Sequence, residues 1–130
     1  MATIAYSMPS SFIEGVELGG EDGGQQTTDQ LQPLLSAGEQ VVLATGGEKG
    51  GALFTDKRII VLADAGIFSK RSVIHFIRAA AIDGVTIDPS SALVVRIAGR
   101  GFANLVLSFD AEMDPTKIAR WCADAMAQDN

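Results

Sequence analysis

LFTDKRIIVL, residues 53–62, holds two apolar runs, Leu53-Phe54 and Ile59 to Leu62, parted by Thr55, Asp56, Lys57 and Arg58. Residues of this kind on both sides read as two strands. The four residues between them admit two readings: a binding or catalytic site, or a tight turn. Thr55 can bond the backbone two residues on, and Asp56-Lys57 tolerate the dihedral angles of a turn. Arg58 then opens the returning strand, its guanidinium free to tie down nearby carbonyls. The turn is the favoured reading.

Outward from this pair the same texture runs from Glu39 to Phe109. Val41 to Leu43, Val73 to Ile77, Val85 to Ile87, Leu93 to Ile97 and Leu105 to Phe109 are further short apolar runs. Between the runs lie GGEKGG (46–51), Asp64-Ala65-Gly66, Asp88 to Ser91 and Ala98 to Gly101, all rich in turn residues. This spacing predicts seven antiparallel strands. No gap is long enough for the crossover helix that a parallel sheet needs. Several strands are apolar on both faces, which implies a tightly curved barrel or an oligomer covering the outside.

Helices are expected on either side of the strands. Asp114 suits an N-cap and Pro115 the first helical position. Ile118, Trp121, Cys122, Ala125 and Met126 then recur at helical spacing, giving one apolar stripe to dock on the sheet. At the other end, Thr27 and Gln30 fit a capping box, and Leu31, Leu34 and Leu35 supply an apolar face. Pro33 weakens that helix, which should end near Gly38.

Residues 1–26 read as a flexible acidic leader with two apolar patches, and 27–130 as the folded domain. GGEDGGQQTT, residues 19–28, has the glycine content of a loose joint. The leader is either a frayed tail or an arm that docks on a neighbour, since Phe12, Ile13, Val16 and Leu18 are costly to leave in water.

Composition bounds the class. The chain has 130 residues, 47% apolar and 20% charged, as expected of one globular domain that buries about two-thirds of its unfolded surface. No apolar run approaches the roughly 20 residues of a membrane span, and MATIAYSMPS carries no base ahead of its apolar residues, unlike a secretory signal. A single cysteine, Cys122, leaves no internal disulfide and suits a reducing cytoplasm. The net charge of −6 comes mostly from residues 1–38, which hold five acids and no base. The remainder is near neutral, so the basic excess of a nucleic-acid binder is missing.

Catalytic chemistry is thinly represented. One histidine and one cysteine cannot make a typical zinc set, and no metal or cofactor is expected. His75 shares an alternating strand face with Val73 and Ile77 and reads as structural, and Cys122 sits on the apolar stripe, where thiols are inert. GGEKGG lacks the phosphate-loop spacing and precedes a strand, so it reads as a hairpin loop. The expectation is a protein that is not an enzyme, with no catalytic residue to name.

Three stretches carry a resemblance: Leu34-Leu35 followed by Gly38-Glu39-Gln40-Val41, Leu53 to Ile60, and Gly66-Ile67-Phe68-Ser69-Lys70. Over roughly residues 30–127 the chain resembles the small bacterial pleckstrin-homology (PH)-like proteins, whose pattern has G-E ahead of the first strand and T-x-K-R between the second and third. Where that family tends to have I-P-Y, this chain has His75-Phe76-Ile77-Arg78, with no proline. Trp121 is similar to the tryptophan of the C-terminal helix in eukaryotic PH domains. The resemblance implies a mainly β fold, a seven-stranded antiparallel barrel or roll capped by one C-terminal helix, with a short N-terminal helix. It also implies homo-oligomers that form rings.

Two modes of action follow. The preferred one is a non-enzymatic binding or scaffold module in the cytoplasm that meets itself and an unidentified protein or peptide partner. Phe12, Ile13, Val16 and Leu18 are its expected contact residues, with Val94 and Phe102 on the barrel. The alternative is a peripheral membrane adaptor that meets anionic lipid through Lys49, Lys57, Arg58, Lys70 and Arg71. Each base near such a surface adds about 1 kcal/mol.

Overall fold

A computed structural model describes residues 16–64, 72–89, 93–100, 102–109 and 113–128. Among these residues a two-residue strand, β1 (Val16–Glu17), precedes α1 (Gly24–Leu31). All seven apolar runs then form strands: β2 (Val41–Gly46), β3 (Gly50–Thr55), β4 (Arg58–Asp64), β5 (Ser72–Arg78), β6 (Ile82–Asp88), β7 (Leu93–Gly99) and β8 (Phe102–Phe109). The helix α2 (Pro115–Met126) closes the order. Asp114 caps it as expected, its carboxylate accepting from Thr116 N at 2.9 Å.

The strands make two sheets, one in the order β2-β3-β4-β5 and the other β1-β8-β7-β6. Every pairing is antiparallel except that of β1, which lies parallel to β8. The two sheets enclose a common core of Ala52, Phe54, Ile59 and Val61 from one and Val95, Ile97, Leu105 and Leu107 from the other. Ile118, Trp121, Cys122 and Ala125 of α2 complete that core, while Met126 at the end of the stripe is half exposed. Trp121 meets Phe54 edge to face with ring centres 5.3 Å apart, a geometry that adds about 0.5–1.5 kcal/mol beyond area burial.

Strands that are apolar on both faces have an intramolecular explanation. Residues 52, 54, 59 and 61 point into the main core, and the alternate residues Leu53 and Ile60 point out of it. There they meet Leu31 of α1, with Leu35, Val41, Ala44 and Leu62 packed around them. Burying three such side chains stabilises the fold by about 1.5–3 kcal/mol each. The chain's own helix thus covers much of the outside that the sequence left to a barrel or an oligomer.

The glycine-rich segment is packed rather than loose. A 3₁₀ turn, Glu21–Gly23, leads directly into α1, and Gly46 N donates to Gly20 O at 2.9 Å. Helix α1 begins three residues ahead of the expected Thr27, so the capping box does not form. The Thr27 hydroxyl instead donates back to Gly23 O at 3.4 Å. Glycine at 23 and 24 lets the helix start press against the backbone of Gly46 and Ala44, which no larger residue allows. The division expected between 26 and 27 falls inside this helix.

Candidate functional site

Side-chain hydrogen bonds converge on the Thr55–Arg58 turn. Thr55 Oγ1 accepts from Lys57 N at 3.1 Å and Arg58 N at 3.0 Å, closing the turn. The same hydroxyl donates to Glu39 Oε2 at 2.6 Å. Arg58 meets that carboxylate side-on, Nε to Oε2 at 2.9 Å and Nη2 to Oε1 at 3.0 Å. Ser36 adds its backbone N–H and its hydroxyl to Oε1.

Further bonds tie this centre to the rest of the molecule. Arg58 Nη2 donates to Leu34 O at 2.7 Å, and its guanidinium lies 4.8 Å from the centre of the Phe76 ring. Trp121 Nε1 donates to Thr55 O at 2.7 Å, and Gln128 to Asp56 O at 3.0 Å. Asp56 and Gln40 exchange two bonds of 3.0 Å. The expected turn forms, and Arg58 does tie down a carbonyl. Sequence reasoning missed Glu39, although its place beside a strand start and the matching T-x-K-R stretch was signal enough. A buried glutamate needs a cation.

Electrostatics define what this cluster can do. Hydrogen bonds from Arg58 depress the Glu39 carboxyl from 4.5 to about 2, against the opposing effect of burial, with Thr55 and Ser36 assisting. Such a group exchanges no proton near neutrality, so it is a clasp and not an acid or base. A depressed carboxyl stabilises the fold above its unfolded pKa and loses that contribution as pH falls through the folded value. The sign therefore predicts unchanged stability above about pH 5 and a progressive loss down to about pH 2, worth roughly 3 kcal/mol in all. Urea midpoints of wild type and Glu39→Gln across this range check it. The acid-side slope should flatten in the variant.

Other residues singled out from the sequence fall in separate places. Lys49 pairs with Glu17 at 2.9 Å, while Lys57 and Arg58 lie at the opposite end of β3. Lys70 and Arg71 are outside the described residues, as are Phe12 and Ile13. Val16 pairs with Leu107 in β1, Phe102 opens β8, and Val94 is half-buried on β7. Leu18 is fully buried in the chain's own core, which corrects its assignment to an outward-reaching arm. His75 lies on β5 opposite Val61, its pKa lowered by burial. Burial pushes the Cys122 thiol up to about 11, so it stays protonated. The GGEKGG loop closes the β2–β3 hairpin through Gly47 N to Gly50 O at 2.9 Å.

Sequence reasoning also missed where apolar surface remains open. Ile74 and Phe76 on the outer face of β5 are 39% and 52% exposed, and Leu34 is 39% exposed. β5 is the last strand of its sheet.

No family model and no curated protein matches the chain. Solved structures do. A pleckstrin-homology domain from Shewanella amazonensis SB2B superposes with a TM-score of 0.64, covering 98% of this chain and 100% of its own, at 18% identity. The fold is the pleckstrin-homology fold. A DUF1696 family protein with a pleckstrin-homology domain, from Shewanella loihica PV-4, gives a TM-score of 0.66 at 21% identity, covering 77% of this chain and 90% of its own. Both neighbours are bacterial, in line with the resemblance of the T-D-K-R and G-E stretches. In the PH frame the clasp joins the approach to β2, the β3–β4 turn and the C-terminal helix.

Proposed function

We propose that this chain is a non-enzymatic, cytoplasmic PH-fold module that works through protein–protein contact and self-association. One observation carries the reading: the exposed pair Ile74 and Phe76 on an edge strand. An edge strand presents unpaired N–H and C=O groups, and large apolar side chains beside them favour addition of a strand from another chain. Helix α1 covers Leu53 and Ile60 further along the same outer face. The charges gathered around Glu39 are taken up by the turn's own bonds, which supports a binding role over a catalytic one.

Solution mass by light scattering tests it. Wild type is expected at a multiple of 13.6 kDa, and Ile74→Lys at the monomer mass, because a lysine on an edge opposes strand addition. A monomeric wild type overturns the self-association. An assembly that survives the substitution moves the contact away from β5.

A further inference from the structure

The outer strands of the two sheets are β2, β5, β1 and β6, and three of them are guarded against pairing. Residues 20–24 of the chain itself lie on β2, with Gly20 bridged to Gly46 and Gly24 against the backbone of Ala44. β1 has only two residues. β6 has a shift of register between Ile82 and Gly84 and carries Asp83 and Asp88. Short strands, bulges and charges all discourage strand addition. β5 has none of these devices along its middle. It follows β4 for seven residues without a shift of register, Ile74 and Phe76 are exposed, and its one permanent charge, Arg78, stands at its last position. Among the described residues it is the unguarded edge.

Its backbone opens outward at the same two residues. Ala79 N donates to Lys57 O at 2.9 Å, one rung beyond the Arg58–Arg78 pair. Bonded and unbonded rungs alternate along an antiparallel ladder. Residues 73, 75 and 77 therefore turn their N–H and C=O groups to β4, and residues 72, 74, 76 and 78 turn theirs to the open side. A second β5 laid antiparallel on this edge can set Ile74 against Ile74, Phe76 against Phe76, or Ile74 against Phe76. The first places Phe76 opposite Ser72, and the second places Ile74 opposite Arg78. Only the third sets each exposed apolar residue against another, and it leaves Arg78 opposite Ser72. Arg58 already holds the Phe76 ring, its guanidinium 4.8 Å from the ring centre.

Resting on the self-association read from β5, we propose that the partner of this strand is β5 of a second copy. The two strands pair antiparallel about a two-fold axis at His75, with Ile74 of each copy against Phe76 of the other. Each such pair exchanges two backbone hydrogen bonds, and the axis repeats them. Two four-stranded sheets become one of eight strands. The contact uses the same edge on both copies, so assembly closes at two chains.

Cysteine cross-linking reads the register. In this pairing the two His75 residues share an unbonded rung, with α-carbons about 4.5 Å apart and within reach of a disulfide. The two Arg78 residues stand six positions out of step, about 20 Å apart. The native Cys122 is buried and stays out of the reaction. Treated with diamide, the full chain carrying His75→Cys is expected to form a disulfide dimer at least ten-fold faster than Arg78→Cys. A mixture of Ile74→Cys and Phe76→Cys chains should cross-link faster than either chain alone, and both changes are at exposed positions, so this arm holds even where His75→Cys fails to fold. Wild type should have twice the mass of 13.6 kDa by light scattering. A wild-type monomer overturns the pairing together with the self-association it rests on. An assembly larger than two chains, equal cross-linking by His75→Cys and Arg78→Cys, or no gain from mixing overturns the two-fold pairing and leaves self-association standing.

Discussion

Arg58→Ala is expected to lower folding stability by about 3–5 kcal/mol, the range for removing one partner of a buried ion pair. The Glu39 side chain is fully buried, and Arg58 supplies two of the bonds that hold it ionised. With the guanidinium gone, the carboxylate must stay charged with only Ser36 and Thr55 as donors or take up a proton. Leu34 O and the face of Phe76 lose a partner in the same step. A domain of this size is stable by about 5–15 kcal/mol, so the change removes a large share. Arg58→Lys should recover only part, because an ammonium cannot make the side-on contact. The pair Glu39→Leu with Arg58→Met should lose less than Arg58→Ala alone, since it leaves no unpaired charge. Urea midpoints decide the matter: a loss under 1 kcal/mol in Arg58→Ala would rank the clasp with ordinary surface pairs.

How much of this could be read in the chain depends on the range of the interaction. Strands and their turns are local. Alternation of apolar residues and the turn chemistry at each gap were sufficient for seven of the eight strands among the described residues and for α2 with its Asp114 cap. β1 has two residues and exists through its pairing with Leu107 and Ser108, so no period could reveal it. Leu53 and Ile60 resemble Ile74 and Phe76 in sequence, yet the first pair is buried under α1 and the second is half open. That difference is set by where α1 lies, which no segment encodes by itself. Glu39 was legible in principle, because its partner Arg58 had already been singled out and only the 19-residue separation hid the match. The glycines of residues 19–24 misled for a related reason. Composition cannot distinguish a glycine that frees the chain from one that admits a neighbouring backbone.

Gly23→Ala separates those two meanings and should be among the most damaging single-methyl changes in the protein. A β-carbon at 23 would stand 2.5 Å from the carbonyl carbon of Gly46 and closer still to its oxygen. The obstacle is backbone on both sides, so no rotamer change relieves it. Either the start of α1 or the end of β2 must move. Moving α1 opens the cover over Leu53 and Ile60, while moving β2 strains the hairpin that Gly47 and Gly50 close. Overpacking of this kind costs about 1–3 kcal/mol and sometimes more, and here the loss of apolar cover adds to it, for about 3 kcal/mol or above. Gly84→Ala on β6 is the control: nothing lies within 4 Å of a β-carbon there. It should be neutral or slightly stabilising, through the lower entropy of the unfolded chain. Thermal midpoints of the two variants give the comparison. Similar midpoints would return residues 19–26 to the status of a flexible joint, whereas a large gap assigns them to the fold and makes α1 the lid on the outer face of its sheet.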